Sequence, residues 1–127
     1  MECKVVIRQL ETELTLVEVS GEMDAYTAPA FKETLVRLII RGYHWVVINF
    51  EELDFIDSSG LRVLLDLHAD VTKKKGSLSL VVTKHHLKKI FKITGLMSPL
   101  QVFDQVEEAL ENLRAQQVKQ DDLELAI

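Results

Sequence analysis

The chain has 127 residues, 47% of them apolar and 28% charged, with a formal net charge of −5. That length suits one domain burying roughly two-thirds of its unfolded surface in a single core. The acidic balance excludes nonspecific nucleic-acid binding, which needs a basic face to displace counterions. No apolar run approaches the about 20 residues of a membrane span.

The chain opens on an alternating stretch, Cys3 to Gln9, with Cys3, Val5 and Ile7 on one side and Lys4 and Arg8 on the other. This pattern predicts an edge or half-exposed strand, with the lone Cys3 as a half-buried strand residue. After Glu11-Thr12-Glu13, Leu14 to Ser20 reads as a second strand, apolar on both faces. So short a connection suits an antiparallel pair or a bend rather than a crossover. Gly21-Glu22-Met23-Asp24 is expected to leave the sheet. A helix follows, with Thr27 as its cap, Pro29 in its first turn, and Phe31, Leu35, Leu38 and Ile39 at helical spacing. Gly42 is expected to stop it.

Trp45 to Phe50 is the third predicted strand, and a second helix carries the stripe Leu61, Leu64, Leu65, His68 and Val71. Lys73-Lys74-Lys75-Gly76 is expected to close it, the cations complementing the helix dipole and the glycine supplying the cap. Leu78 to Val82 reads as a strand covered on both faces. Leu87, Ile90 and Phe91 mark a third helix ended by Gly95. Leu100 to Phe103 is a short fifth strand, and Val106, Ala109, Leu110 and Leu113 mark a fourth helix. The alternation predicts an α/β domain over residues 1–117, with a mixed, mainly parallel five-stranded sheet and about four helices. Residues 118–127 are expected to form a C-terminal tail outside the core, frayed or helical. No n-region and h-region open the chain, so a cytoplasmic protein is expected.

Between the third strand and the second helix lies Phe55-Ile56-Asp57-Ser58-Ser59-Gly60-Leu61. The pair of hydroxyls falls at or beside a helix N-cap, where serine oxygens accept from orphan N–H groups. Those same donors and the dipole favour a phosphate. A capping role alone and a phosphate-bearing role therefore both fit the segment.

This segment resembles the phosphorylation motif of the STAS family, closest to the bacterial anti-anti-sigma factors, also termed anti-sigma factor antagonists. Gly21-Glu22-Met23-Asp24 resembles the family's turn after the second strand, and Ile93-Thr94-Gly95-Leu96 its turn after the third helix. The order of elements agrees from about residue 4 to about residue 114. The resemblance implies Ser58 as phosphoacceptor, with Ser59 as the alternative. It further implies a partner-binding site of Asp24, Asp57, Ser58, Ser59 and Gly60. The implied partners are an anti-sigma factor that is also a serine kinase, and a phosphoserine phosphatase, with no direct contact to nucleic acid and no membrane insertion. Phosphorylation would switch the antagonist off. The alternatives within the family are the STAS subunit of a lipid-transport ATPase and a scaffold or sensor component of a stress-signalling assembly.

Other chemistries fit less well. A receiver domain, with Asp57 as acceptor, needs an acidic pair after the first strand and a lysine after the fifth, where this chain has Gln105. A hydrolase needs a Gly-x-Ser-x-Gly elbow or a histidine placed to serve Ser58, and neither is present. His68 lies on the apolar side of its helix and is expected to pack. His85 and His86 diverge as i, i+1 neighbours. No Cys or carboxylate spacing turns these into a metal site, and no cofactor or catalytic residue is expected. Lys84, Lys88 and Lys92 share one helical stripe, expected to be a solvated face, with an acid-seeking contact or an anion site as the alternatives.

Overall fold

Among the described residues nine elements follow one another: β1 (Cys3–Glu11), β2 (Leu14–Met23), α1 (Ala28–Ile40), β3 (Trp45–Ile56), α2 (Ser58–Lys73), β4 (Ser77–Val81), α3 (His85–Ile93), β5 (Val102–Phe103) and α4 (Val106–Leu125). The computed structural model describes residues 2–11 and 13–125. The sheet runs β1-β2-β3-β4-β5. β1 pairs antiparallel with β2, and every other pair is parallel. The mixed, mainly parallel α/β sheet with four helices is as the sequence predicts.

Side chains alternate across a strand, so each central strand feeds two cores. Val17, Val19 and Met23 of β2, Val46, Ile48 and Phe50 of β3, and Leu78 and Leu80 of β4 face the larger core. There they meet Phe31, Leu35 and Ile39 of α1, Leu64, Leu67 and Val71 of α2, and Leu87 and Phe91 of α3. On the opposite face Leu14, Leu16, Trp45, Val47 and Val81 pack against Ala109, Leu110 and Leu113 of α4. Truncating a fully buried leucine such as Leu67 or Leu113 to alanine costs about 2–5 kcal/mol at sites of this kind.

The smaller core is supplemented by amides. Gln101 Nε2 donates to Ser77 Oγ and to the Leu78 carbonyl, both at 2.9 Å. Asn112 Nδ2 donates to Ser79 Oγ at 3.1 Å and to Gln101 Oε1 at 2.9 Å. These bonds give partners to serines that β4 buries on its α4 side, where an unpaired hydroxyl would be costly. α4 continues without a break through residues 117 and 118 to Leu125, so no change of backbone marks the expected start of the tail. Ala126 and Ile127 lie outside the described residues.

Several boundaries differ from expectation. β2 runs to Met23 rather than Ser20, and β3 to Ile56 rather than Phe50. The two strands extend together, with Gly21 opposite Leu53 and Met23 opposite Ile56, through register shifts at two places. Those shifts break the period-2 pattern, and the acids Glu51, Glu52 and Asp54 imitate a loop. On β1, Cys3 and Val5 are half-buried as expected, whereas Ile7 is 41% exposed, because the edge strand outruns its helical cover. β4 ends at Val81, and β5 keeps only Val102 and Phe103.

Three helices end in the same paired-bond motif. In α1 the Tyr43 N–H reaches the Leu38 carbonyl and the Gly42 N–H that of Ile39; in α3 Leu96 reaches Phe91 and Gly95 reaches Lys92. In α2 Gly76 N–H bonds Val71 and Lys75 N–H bonds Thr72. The left-handed position of that last motif is therefore Lys75, at φ +61°, and not the expected Gly76. Gly76 is needed for a different reason: a Cβ there would lie 1.9 Å from the His44 carbonyl oxygen, which accepts the Ser77 N–H. Opposite effects are expected from neighbouring substitutions. Lys75→Gly should raise stability by about 0.5–1 kcal/mol in urea unfolding, by relieving the left-handed strain. Gly76→Ala should lower it by about 1–3 kcal/mol. Equal effects of the two would contradict this assignment.

Candidate functional site

Two loops leave the sheet side by side at the C-terminal ends of β2 and β3. The Asp57 N–H donates to the Met23 carbonyl at 3.1 Å, so the chain leading into α2 is tied to the chain leading into α1. Each loop carries one aspartate at a helix entrance.

At α2 the cap is Asp57. Its backbone is extended, at φ −111° and ψ −171°, and Oδ1 accepts from Ser59 N–H at 2.9 Å and Gly60 N–H at 3.3 Å. Expectation placed the serine hydroxyls at or beside this cap; they lie just after it, and the cap donors are taken by the Asp57 carboxylate. Ser58 and Ser59 are consequently the first and second helical residues, and neither hydroxyl has a hydrogen-bond partner among the described residues. Ser58 is exposed and Ser59 half-buried. Gly60 is buried: a Cβ there would lie 2.6 Å from Ile56 Cγ1 and 3.0 Å from Met23 Cγ. The absence of a side chain at Gly60 lets α2 rest on the ends of β2 and β3.

At α1 the expected cap, Thr27, has helical backbone and makes no side-chain cap bond to the first turn. The work is shared with Asp24, whose Oδ1 accepts from Tyr26 N–H at 2.9 Å and Thr27 N–H at 3.0 Å. Thr27 Oγ1 in turn accepts from Asp24 N–H at 2.9 Å and donates to the Glu22 carbonyl at 2.8 Å. Asp24 is thus buried, and its carboxylate is held below the ordinary carboxylate range, first by the Thr27 N–H and also by Tyr26 N–H and the Thr27 hydroxyl. The structure places Asp24 beside the Ser58 loop, as a brace more than as a surface group.

Two aromatics that sequence patterning passes over flank these loops. Tyr26 is 91% exposed and Phe55 is 43% exposed. The only sequence signal for Tyr26 is an aromatic between an aspartate and a helix start, off any apolar stripe. Phe55 is masked because it falls where β3 loses its alternation. Aromatic side chains left open beside polar loops are typical anchors of protein interfaces.

The lysine stripe of α3 is not a simply solvated face. Lys84 Nζ bonds Asp54 Oδ1 at 2.5 Å, which lowers the Asp54 carboxyl, and His86 Nε2 lies 2.7 Å from the Asp54 carbonyl oxygen. Lys88 pairs with Asp104, while Lys92 is exposed. These pairs tie the start of α3 to the ends of β3 and β5. His68 is half-buried, with Nδ1 unpartnered. No group of three or more His, Cys, Asp or Glu residues among the described residues is arranged to hold a metal ion. No helix of the described residues is long and apolar enough to cross a membrane. Chemically, the site offers an accessible primary hydroxyl at the positive end of a helix, framed by open aromatics.

Comparison with known proteins adds context to this geometry. Residues 5–109 match the family model of the STAS domain. The anti-sigma-B factor antagonist of Bacillus subtilis (strain 168) is 35% identical over 96 residues, covering 76% of this chain and 86% of its own. A crystal structure of an anti-sigma factor antagonist from Mycobacterium paratuberculosis matches with a TM-score of 0.81 at 23% identity, over 89% of this chain and 95% of that one. The Bacillus cell fate determinant SpoIIAA in its phosphorylated form matches with a TM-score of 0.68 at 23% identity, over 86% and 98%. At these identities the two structures speak for the fold.

The brace role of Asp24 has a pH signature. A carboxyl whose pKa is depressed on folding stabilises fully above its unfolded value and loses that contribution as pH falls through the folded one. Wild type should therefore be more stable than Asp24→Asn at about pH 6, with the gap closing below the ordinary carboxyl value of 3.8. Urea unfolding across that range measures it. A gap that stays constant with pH would show that the charge of Asp24 is immaterial.

Proposed function

Because the chain belongs to the STAS domain family, we propose that it is an anti-sigma factor antagonist switched by phosphorylation of Ser58. In this reading the unmodified protein docks on an anti-sigma factor that is also a serine kinase, and so frees a sigma factor. Transfer of phosphate to Ser58 abolishes docking, and a phosphoserine phosphatase restores it. The observation that carries the proposal is the exposed Ser58 hydroxyl at the first position of α2, left without a partner because Asp57 does the capping. The names of the curated relatives support the antagonist assignment.

The acceptor choice between adjacent serines follows from access. Ser59 is half-buried and its N–H is held by Asp57, whereas Ser58 stands open to a kinase. A phosphate on Ser58 adds about −1.5 to −2 charges. The helix N-terminus favours such a charge by roughly 0.3–1 kcal/mol, and Asp57 opposes it. These opposed effects leave the fold standing. The same dianion at a docking surface must be desolvated, and it adds bulk where the partner would seat. The switch is an interface veto.

Incubation with the cognate kinase and ATP should add one phosphate, mapped by mass spectrometry to Ser58. Ser58→Ala should take none, while keeping its fold and its grip on the partner. Label on Ser59 would move the acceptor by one residue, and no label on either serine would sink the mechanism. The phosphoprotein should bind at least about tenfold more weakly, an interface penalty of about 1.4 kcal/mol, with its thermal midpoint shifted by only a few degrees.

The aromatic frame makes a separate demand. Tyr26→Ala should weaken partner binding by about tenfold or more in calorimetry while leaving the unfolding midpoint unchanged, because Tyr26 is 91% exposed in the free protein. Unchanged affinity would remove Tyr26 from the docking surface.

A further inference from the structure

We infer that β1 is a self-association edge, through which two copies of this chain join antiparallel into one continuous ten-stranded sheet. The inference rests on the edge strand and is independent of the phosphorylation reading. β1 is nine residues long, contains no proline, and departs from regular pairing only at its end, between Gln9 and Glu11. Three of the exposed large apolar residues, Val6, Ile7 and Leu10 at 37%, 41% and 41%, lie on it. Edge strands that stay single are usually short, bulged, proline-bearing or heavily charged. Here the charges are Lys4, Arg8 and Glu11, with Arg8 paired to Glu18 at 2.6 Å and Glu11 to Arg114.

The hydrogen-bond parity of the edge can be read from its first residue. The Glu22 N–H donates to the Glu2 carbonyl, and β1 pairs with β2 so that residue numbers sum to 24, as for Val6 with Glu18. Even-numbered residues therefore bond inward to β2. The N–H and C=O groups of Cys3, Val5 and Ile7 point to the open edge.

Only a few two-fold registers bring outward groups face to face. Centring on Val6 sets Lys4 across from Arg8 of the other copy, and like charges directly opposite are destabilising. Centring on Val5 pairs only residues 3–7 and leaves Arg8 to Glu11 without a partner in the strand. Centring on Ile7 places Ile7 on Ile7, Val5 across from Gln9 and Val6 across from the Arg8 stem, with no like charges opposed. This self-complementarity identifies the occupant as a second copy rather than an unrelated strand. Because the strands run antiparallel, the Ser58 loops of the two copies lie at opposite ends of the joined sheet. Each remains open to its own partner.

The contact is one strand wide, below the size of a standard stable interface, so the dimer is weak. Sedimentation velocity on the full chain should show monomer at about 10 µM and a substantial dimer fraction by about 500 µM. Ile7→Pro removes only an outward N–H and should stay monomeric throughout, with an unchanged circular dichroism spectrum. Val6→Pro, which removes an inward N–H, should instead lower the unfolding midpoint. Ile7→Lys, which sets two cations on the two-fold axis, should also be monomeric and carries the test if the proline variant fails to fold. Wild type that is monomeric at about 500 µM, or a dimer that Ile7→Lys leaves intact, would overturn the inference.

Discussion

The constraint on which the site depends is the joint extension of β2 and β3 past the rest of the sheet. Strands β4 and β5 stop early, whereas β2 and β3 continue as a parallel pair to Met23 and Ile56. The Asp57 N–H then bonds the Met23 carbonyl, so both chains turn away from the sheet at the same level. Two helix entrances are thereby set side by side, and a loop presenting Tyr26 comes to stand by a loop presenting Ser58. The buried Gly60 completes the arrangement by letting α2 sit directly on Ile56 and Met23. Without that close approach the hydroxyl would still exist in the sequence, but not beside the α1 entrance.

The two aspartates show how one residue type serves two ends. Both carboxylates receive backbone N–H groups at the start of a helix, where a negative charge is favoured. Asp24 is buried and engaged with Thr27, so its effect is to hold a turn. Asp57 is half-buried and caps α2, which leaves both following hydroxyls without a hydrogen-bond partner among the described residues. A serine at the cap position would have its oxygen occupied by the helix it caps. With the cap one residue upstream, that demand falls on Asp57 instead of on either serine.

Much of this was legible in the sequence, for identifiable reasons. The central strands read clearly because both their faces are buried, and α1, α2 and α3 because their stripes face a single core. The mixed, mainly parallel sheet and the Ser58 junction followed from those elements. What failed was local. The far ends of β2 and β3 carry acids and register shifts, which look like loop to any periodicity argument. Which of Asp57, Ser58 and Ser59 caps α2 was left open, because Asp and Ser both qualify as caps and only backbone dihedrals distinguish them. The stop of α2 was assigned to Gly76, although Lys75 takes the left-handed position and the glycine answers a steric demand from His44. The lysine stripe of α3 looked solvated because its partners, Asp54 and Asp104, are distant in sequence. Tyr26 gave only a faint signal and Phe55 none, since exposure of an aromatic is a tertiary property.

The two-sided construction of the sheet bears on how the site is insulated. Every element that shapes the Ser58 junction belongs to the larger core: the ends of β2 and β3, α1 and α2. α4 lies on the other face, held by the smaller core and by the Gln101–Asn112 amides, with Arg114 reaching Glu11 at 2.5 Å near the β1–β2 turn. That turn is at the opposite end of β2 from Asp24. A displacement of α4 would therefore act on the site only through the backbone of the central strands, which are pinned by close packing on the first face. Coupling between distant places needs an element with two discrete arrangements, and parallel strands buried on both sides offer little room for a second one. The geometry of the Ser58 junction is accordingly set by the sheet and by the helices of the first face.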